Sequence, residues 1–556
     1  MDRIQGYPTG APNLSLEDDL LRKGYLPEGV PPFFSTASIA DYFQKNPPVK
    51  FLTKAKGSPR LRAAAYNASK RGMTRRPFSA VHPVTAHDLN WFVSIHLKQF
   101  EALFSQSSHS LSVPKHDPSA SRAIVIASHS ELEKERMARL SGYRFVAKTD
   151  ISRFYHSVYT HSVPWAAHGK AKSKADTWSE SASVYCNKLD QILRAGQDGQ
   201  TVGIPVGPDA SRFVAELICT AIDVEFEKKC NVQDYAVIRH VDDIYIGAHT
   251  FVDAESALSR YREAIREFEL DINETKTRIH SSDFRFADSW PSEISAKIKF
   301  AVDSTSRTED RLRSALEDVF SMAVASGDDG ILRYAIRILD RDGINYAYWD
   351  TTEAFLKRCA FHFGHSIDFV SRVLVWKDIA SFDLSDTKAW APILRDILDR
   401  HGRLGNDSEV CWAIYACYRL GIEIPTPLAE FIANNCGALT LVALLNCVEK
   451  ALVDKSVFDI ALNRIALEDA RGQFWPLILD WVSRSWPNAS SVQPKLNEDT
   501  IEGLVKAGAS VFDPNGLPEV FRGVDPSEFG LVKYAIETSD SYDDDDADED
   551  DAIILP

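Results

Sequence analysis

Two stretches of the chain alternate apolar and polar positions at the two-residue period of a β-strand, and both run into acid. Tyr143-Arg144-Phe145-Val146-Ala147-Lys148-Thr149 ends on Asp150, with the aromatic Tyr155 five residues further on. Ninety-two residues after Asp150 stands Asp242, inside Tyr235-Ala236-Val237-Ile238-Arg239-His240-Val241-Asp242-Asp243-Ile244-Tyr245-Ile246-Gly247. One β-branched and aromatic run enters the acidic pair and a second leaves it, which predicts a hairpin with two carboxylates at its tip. Between the two stretches, Phe213, Leu217, Ala221 and Val224 fall on one helical face. Val214, Ile218, Ile222 and Phe226 fall on the next, predicting a broadly buried helix from about Ala210 to Lys229. Beyond the hairpin, Asp253 is placed to cap a helix carrying Leu258, Tyr261, Ile265 and Phe268. Strand, helix, hairpin, helix, strand is a split β-α-β order.

Other periodicities flank this unit. Leu89 to Phe104 reads as an apolar helix, residues 105–120 as a Ser- and Pro-rich loop, and residues 1–50 as a Gly/Pro/Ser-rich wrapping segment with short apolar patches. From about Arg307 strand-like alternation almost vanishes and amphipathic segments recur. Examples are Leu312/Leu316/Val319/Phe320, Ile331/Leu332/Ala335/Ile338/Leu339 and Trp412/Ile414/Tyr415/Leu420. Recurring helices separated by short turns predict a HEAT-like α-solenoid or an irregular helical bundle.

Composition adds bounds. A chain of 556 residues exceeds what one core supports, so at least two domains are expected. Hydrophobic content of 44% and charged content of 26% are those of an ordinary globular protein. No run of eighteen apolar residues occurs and the first residues lack a charged-then-apolar signal, so no membrane association and a cytoplasmic location are expected. The eight cysteines contain no C-x-x-C pair, which argues against a zinc site or a disulfide framework. The net charge of −16 is uneven: Asp543 to Asp551 carries eight acids and no base, and 535–556 reads as a disordered acidic tail. Lys50 to Arg76 carries nine basic residues and no acid. Local charge of that kind suits phosphate.

Neighbouring aspartates between two strands repel each other unless a cation offsets them. Carboxylates with phosphate oxygens and water suit Mg²⁺. Two strands that each deliver a carboxylate, Asp150 and Asp242, can hold two metals about 4 Å apart, which stabilises both oxygens of an in-line phosphoryl displacement. The alternative for Asp242-Asp243 taken alone is a plain turn, since Asp favours turns.

Four segments together resemble the reverse transcriptases, the RNA-directed DNA polymerases with a palm domain. Thr149-Asp150-Ile151-Ser152-Arg153-Phe154-Tyr155 looks like their first catalytic motif and Val241-Asp242-Asp243 like their second. Gly203-Ile204-Pro205-Val206-Gly207-Pro208-Asp209-Ala210-Ser211-Arg212 is similar to the loop and helix supporting template and nucleotide, and Asn273-Glu274-Thr275-Lys276 to the Asn-x-x-Lys motif. The run from Thr149 through Tyr159-Thr160-His161-Ser162-Val163-Pro164-Trp165-Ala166, with a long helical C-terminal part, resembles the bacterial abortive-infection, antiphage group.

The resemblance implies an α/β palm-and-fingers polymerase domain followed by an all-α HEAT-like helical-repeat domain. Its parts would be an N-terminal segment and fingers (1–140), a palm (141–295), a helical domain (300–530) and the tail (535–556). It implies Mg²⁺ on Asp150, the carbonyl of Ile151, Asp242 and Asp243, with Lys276 hydrogen-bonding or protonating the leaving pyrophosphate. Tyr155 would exclude a ribose 2′-hydroxyl by clash, with core packing beside Phe154 as the alternative. Arg62, Arg75 and Arg76 are the candidates for the triphosphate, and Gly203, Pro205, Gly207 and Ser211 for the nucleotide's backbone cradle. The implied partners are deoxynucleoside triphosphates and nucleic acid, either a DNA product alone or also an RNA template or noncoding RNA, with homo-oligomers through the helical region. The group includes polymerases that work without a conventional template and from a protein tyrosine. A scaffold with a vestigial polymerase half is the non-enzymatic alternative. Two positions depart from the family pattern: His240 stands where a tyrosine is usual, and Thr201-Val202 where a glutamine precedes the glycine.

Overall fold

The computed structural model describes residues 14–518, apart from Arg71, Met73, 231–234, Ser282, 304–305 and 381–386. The acidic tail expected over 535–556 and the end of the helical part beyond 518 lie outside the described residues.

The first helices are α1 (Leu14–Arg22) and α2 (Ala37–Lys45), followed by a hairpin of β1 (Ala64–Ser69) and β2 (Arg75–Ala80). Then come α3 (Pro83–Ile95), α4 (Leu97–Phe104), the short pair β3 (Lys115–His116) and β4 (Ile124–Val125), and α5 (His129–Leu140). The central unit runs β5 (Phe145–Asp150), α6 (Phe154–Ser157), α7 (Ser162–His168), α8 (Lys170–Ala175), α9 (Cys186–Ala195) and α10 (Ala210–Lys229). It closes with β6 (Ala236–His240), β7 (Asp243–Ala248), α11 (Phe251–Arg266) and β8 (Arg278–His280). The remaining described elements are helical: α12 (Trp290–Val302), α13 (Thr308–Ser326), α14 (Gly330–Arg341), α15 (Ile344–Ala347), α16 (Trp349–His362), α17 (Ile367–Ala380) and α18 (Thr387–Leu404). They continue with α19 (Asp407–Leu420), α20 (Thr426–Asn435), α21 (Ala438–Glu449), α22 (Val457–Arg464), α23 (Trp475–Ser483), α24 (Ala489–Val492) and α25 (Asp499–Lys506).

The central sheet is antiparallel with the order β6-β7-β5-β8, so the strand carrying Asp150 is flanked by the hairpin on one side and by β8 on the other. Helix α10 has the bounds its pattern predicts. It is buried on nearly every face because α3, α4, α7 and α11 all pack on it. The helix predicted from Asp253 starts at Phe251. Its cap is Thr250, whose hydroxyl accepts the Asp253 amide at 3.1 Å, while Asp253 sits in the first turn. Thr is the stronger cap here because it has the extended backbone a cap requires.

From α16 onward the helices stack in two rows: α16, α18, α20 and α22 along one side, and α17, α19, α21, α23 and α25 along the other. The second row faces the β1–β2 hairpin, which touches α19 and α21. A single apolar core therefore joins parts far apart in sequence: Tyr25, Phe33, Tyr66 and Val81 share it with Leu339, Trp412, Leu444 and Trp475. The central sheet with α3, α4, α10 and α11 has a separate core, including Phe92, Phe213, Ile246 and Tyr261. Near its two ends the described chain closes on itself: Ser35 donates its amide to Val511 O at 2.9 Å, and Asp513 donates to Phe33 O at 2.7 Å.

Candidate active site

The ladder between β5 and β7 sets Asp150 directly opposite Asp243. Side chains of directly opposed residues share one face of a sheet, and like charges there are destabilising. Lys276 offsets this, with its Nζ 3.1 Å from Asp150 Oδ2. Two backbone bonds fix the strand end. Ile151 donates its amide to Asp242 O at 3.3 Å, and Asn273 donates to Asp150 O at 2.9 Å. The first, second and fourth motif segments are thus joined through main chain around one carboxylate.

The hairpin tip is strained. Val241 has φ of +51°, a left-handed conformation that costs a β-branched residue about 1–2 kcal/mol. Ser112 accepts the Val241 amide, and Arg239 Nη1 donates to Val241 O at 3.3 Å. Arg239 is fully buried beneath the tip. Its guanidinium bonds both Glu216 oxygens at 2.9 Å and Asp223 at 2.9 Å, and Tyr261 and Ser107 donate to the same Asp223. Burial opposes the arginine's charge, and the two carboxylates outweigh burial and push its pKa well up. The charge stays, and a fixed cation underpins the acidic turn.

Above this floor lies a cleft of about 600 Å³. Asp150, Ile151 and Asp242 line it from the sheet, Tyr155 from α6, Gly207 and Arg212 from the third motif, and Lys276 from the fourth. Arg76 and Arg75 line it from β2, and Arg333, Asp368, Glu409 and Trp412 from the helical half. Glu28, on the rim, is opposed by burial but held down at about 2 by Arg212, Arg122 and Arg76.

The expected site residues divide accordingly. Asp150, Ile151, Asp242, Lys276, Tyr155, Arg75, Arg76 and Gly207 meet in the cleft, whereas Asp243, Arg62, Gly203, Pro205 and Ser211 are not on its lining. Arg62 is an exposed residue bonded to Asp198 at 2.6 Å. Ser211 is buried at the start of α10. Gly203, at φ +91°, donates its amide to Val158 O, and a Cβ there would come within 3.4 Å of the His156 carbonyl. At Gly207, φ +122°, a Cβ would come within 3.0 Å of Pro27. This loop also accepts the Ser79 amide at Val206 O, so it ties β2 to the floor. Arg75 reaches the cleft already engaged: both of its terminal nitrogens bond Glu409, and Nε donates to Asn67 Oδ1 at 2.9 Å. Of the three arginines expected at the triphosphate, Arg75 and Arg76 line the cleft and Arg62 does not. His240 turns inward, with Nε2 2.7 Å from Ala127 O, and is not on the cleft lining. Arg153 of the first motif, at φ +47°, and Lys70 of the basic segment also line the cleft, as does Arg333, which the sequence did not single out.

Among the described residues no three His, Cys, Asp or Glu side chains converge as a metal cluster. The fit of a divalent cation rests on donor chemistry instead: Asp150 and Asp242 offer hard carboxylate oxygens to one cleft, and Asp150 already attracts a cationic group, the Lys276 ammonium.

Residues 68–298 match the family model described as reverse transcriptase (RNA-dependent DNA polymerase). The matched span contains all four motif segments, and its domain is of the reverse-transcriptase type, a nucleotidyl polymerase domain. Among solved structures, telomerase from Candida albicans in complex with a fragment of telomeric RNA is similar to 60% of this chain and 66% of its own, at 9% identity and a TM-score of 0.28. No curated protein matches the chain in sequence. No described helix is long and apolar enough to cross a membrane.

Proposed function

We propose that this chain is a Mg²⁺-dependent DNA polymerase that acts in cytoplasmic antiphage defence and extends a protein tyrosine without a conventional template. The observation carrying the polymerase reading is the meeting of Asp150, Asp242, Lys276 and Arg76 in one cleft. Asp150, Asp242 and the Ile151 carbonyl would hold the metal, which supplies charge neutralisation for a triphosphate and its leaving group. Lys276 would take up the pyrophosphate side, Tyr155 would face the sugar, and Asp243 would set the charge balance across from Asp150. The untemplated, tyrosine-primed reading rests on the sequence resemblance, and the cleft's volume is that of a small-molecule pocket (roughly 300–1,000 Å³) able to take a nucleotide. The defence role and assembly into homo-oligomers rest on the sequence resemblance. A HEAT-like organisation is supported by the two-row stacking of α16 to α25.

The test incubates purified protein with Mg²⁺ and labelled deoxynucleotides, without primer or template, and runs the products on a denaturing gel before and after protease. Label that leaves with the protein on digestion supports the proposal. Asp242→Ala is expected to reduce incorporation about a thousandfold, about 4 kcal/mol of barrier, with the fold retained. Synthesis only when an RNA template and primer are supplied would replace it with a conventional RNA-templated enzyme using a noncoding RNA. That second reading is favoured by the basic loop at residues 50–60.

A further inference from the structure

Outside the cleft, residues 50–60 form an exposed loop carrying Lys50, Lys54, Lys56 and Arg60 and no acid. None of the four makes an ion pair to a described carboxylate, although the nearby Arg62 and Lys188 do. The loop is built rather than slack. The buried Asp88 accepts the Leu52 amide at 2.9 Å and the Thr53 amide at 2.6 Å. Lys188, 1% exposed, donates to Thr53 O at 2.6 Å, and Gln191 donates to Lys54 O at 2.7 Å. Ser58 closes the loop by donating to Lys54 O at 2.9 Å.

The same helix, α9, supports a second element. Asn187 donates to Asp176 O at 2.8 Å and to Trp178 O at 3.1 Å, which fixes the backbone under an indole that is 63% exposed. That ring stacks on no other ring and meets no cation among the described residues. Lys172 and Lys174, exposed on α8 just before it, also make no ion pair with a described carboxylate, and Lys174 Nζ lies 5.4 Å from the Trp165 ring centroid. The acids of this ridge are committed locally: Asp176 to Ser181 and Ser183, and Glu180 to Lys188.

Cations held on a rigid loop beside an uncovered aromatic suit a strand whose phosphates track the charges and whose bases are free to stack. In a duplex the bases are already stacked on each other, so the aromatic adds affinity only for single strands. We propose that loop 50–60, with Lys172, Lys174 and Trp178, is a single-strand nucleic-acid binding site separate from the catalytic cleft. It rests on the polymerase reading above and adds to it a place for a product or template strand.

The test measures fluorescence anisotropy of the full chain with labelled oligo(dT) and oligo(U), each about twenty nucleotides long so as to exceed a single-strand site. Lys54→Glu with Lys56→Glu is expected to weaken binding about tenfold and to lower the salt slope by about 1.4, two phosphates at about 0.7 each. Trp178→Ala is expected to weaken it about tenfold with the slope unchanged. All three positions are exposed, so circular dichroism and melting should match wild type. Asp242→Ala should bind as wild type does while losing synthesis, which separates this site from the polymerase reading. Wild-type protein that synthesises nothing but binds in this way would sink the polymerase reading alone. Variants that bind both strands like wild type would sink the site, and so would equal displacement by polyglutamate with no effect of Trp178→Ala.

Discussion

The floor and the far wall of the cleft are built on opposite terms. The floor is a β-ladder: Asp150 and Asp243 are placed by strand register, Asp242 by the turn between β6 and β7, and one buried arginine with two carboxylates supports that turn. The wall is long-range: β1 and β2 are fastened to α19 by Arg75 on Glu409, by the Asn67 amide on Asp407 at 2.9 Å, and by the Ser69 amide on Ser408 at 2.8 Å. At the neighbouring seam Trp475 donates to Ala80 O at 3.3 Å and His82 bonds Ala470 O at 3.0 Å. Register leaves little freedom once the sheet forms, whereas polar fastenings between distant segments respond to charge and pH. The chemistry thus sits on the stiff side and the adjustable contacts on the other.

Three changes would break or sharpen that contrast. The largest effect is expected from Arg239→Met, which leaves Glu216 and Asp223 buried without their cation. Removing one partner of a buried ion set costs about 3–5 kcal/mol. Denaturant melts should show this, and incorporation should fall as the Asp242 turn loosens. A variant of normal stability and activity would mean that the floor does not depend on its buried charge. The second is acid. Burial lowers the His82 pKa from 6.5 to about 3. With Nδ1 accepting the Val84 amide, only Nε2 can carry the proton toward Ala470 O, so the fold requires the neutral ring. Its contribution is complete above pH 6.5 and is lost progressively as pH falls toward 3, about 2 kcal/mol by pH 5. Melting curves between pH 7 and 5 should flatten in His82→Gln, and parallel curves for wild type and variant would remove His82 from the seam. The smallest effect belongs to Val241→Gly. Glycine relieves the left-handed strain but brings more unfolded-state entropy, so a net gain of about 0.5–1 kcal/mol is expected as a small rise in melting temperature.

Much of the floor was legible because its signals are local. Period-two alternation ending on acid located β5, β6 and β7, and continuous apolar faces located α10 to its termini. The amphipathic runs at Leu312, Ile331 and Trp412 fall within α13, α14 and α19. What could not be read is pairing across distance. Nothing near Arg75 indicates that a glutamate more than three hundred residues later occupies its guanidinium, and so a basic residue in a basic segment looked available for phosphate. Nor does Asp243 differ from Asp242 in sequence, although one lines the cleft and the other faces Asp150 across the ladder. Helices such as α20 and α22 are short, ten and eight residues, and are set largely by the rows they complete.

The closure of residues 33–35 onto 511–513 has a consequence for how the molecule is made. The N-terminal segment leaves the ribosome with Phe33 and Phe34 exposed, and their partner Phe512 follows some 480 residues behind. At roughly 5–20 residues per second that is a wait of about half a minute to a minute and a half. The sheet that carries Asp150 and Asp242 is complete in sequence long before, yet the hairpin that roofs it cannot settle until α19 and α23 have been translated. A chain arranged this way stays incomplete through most of its own synthesis.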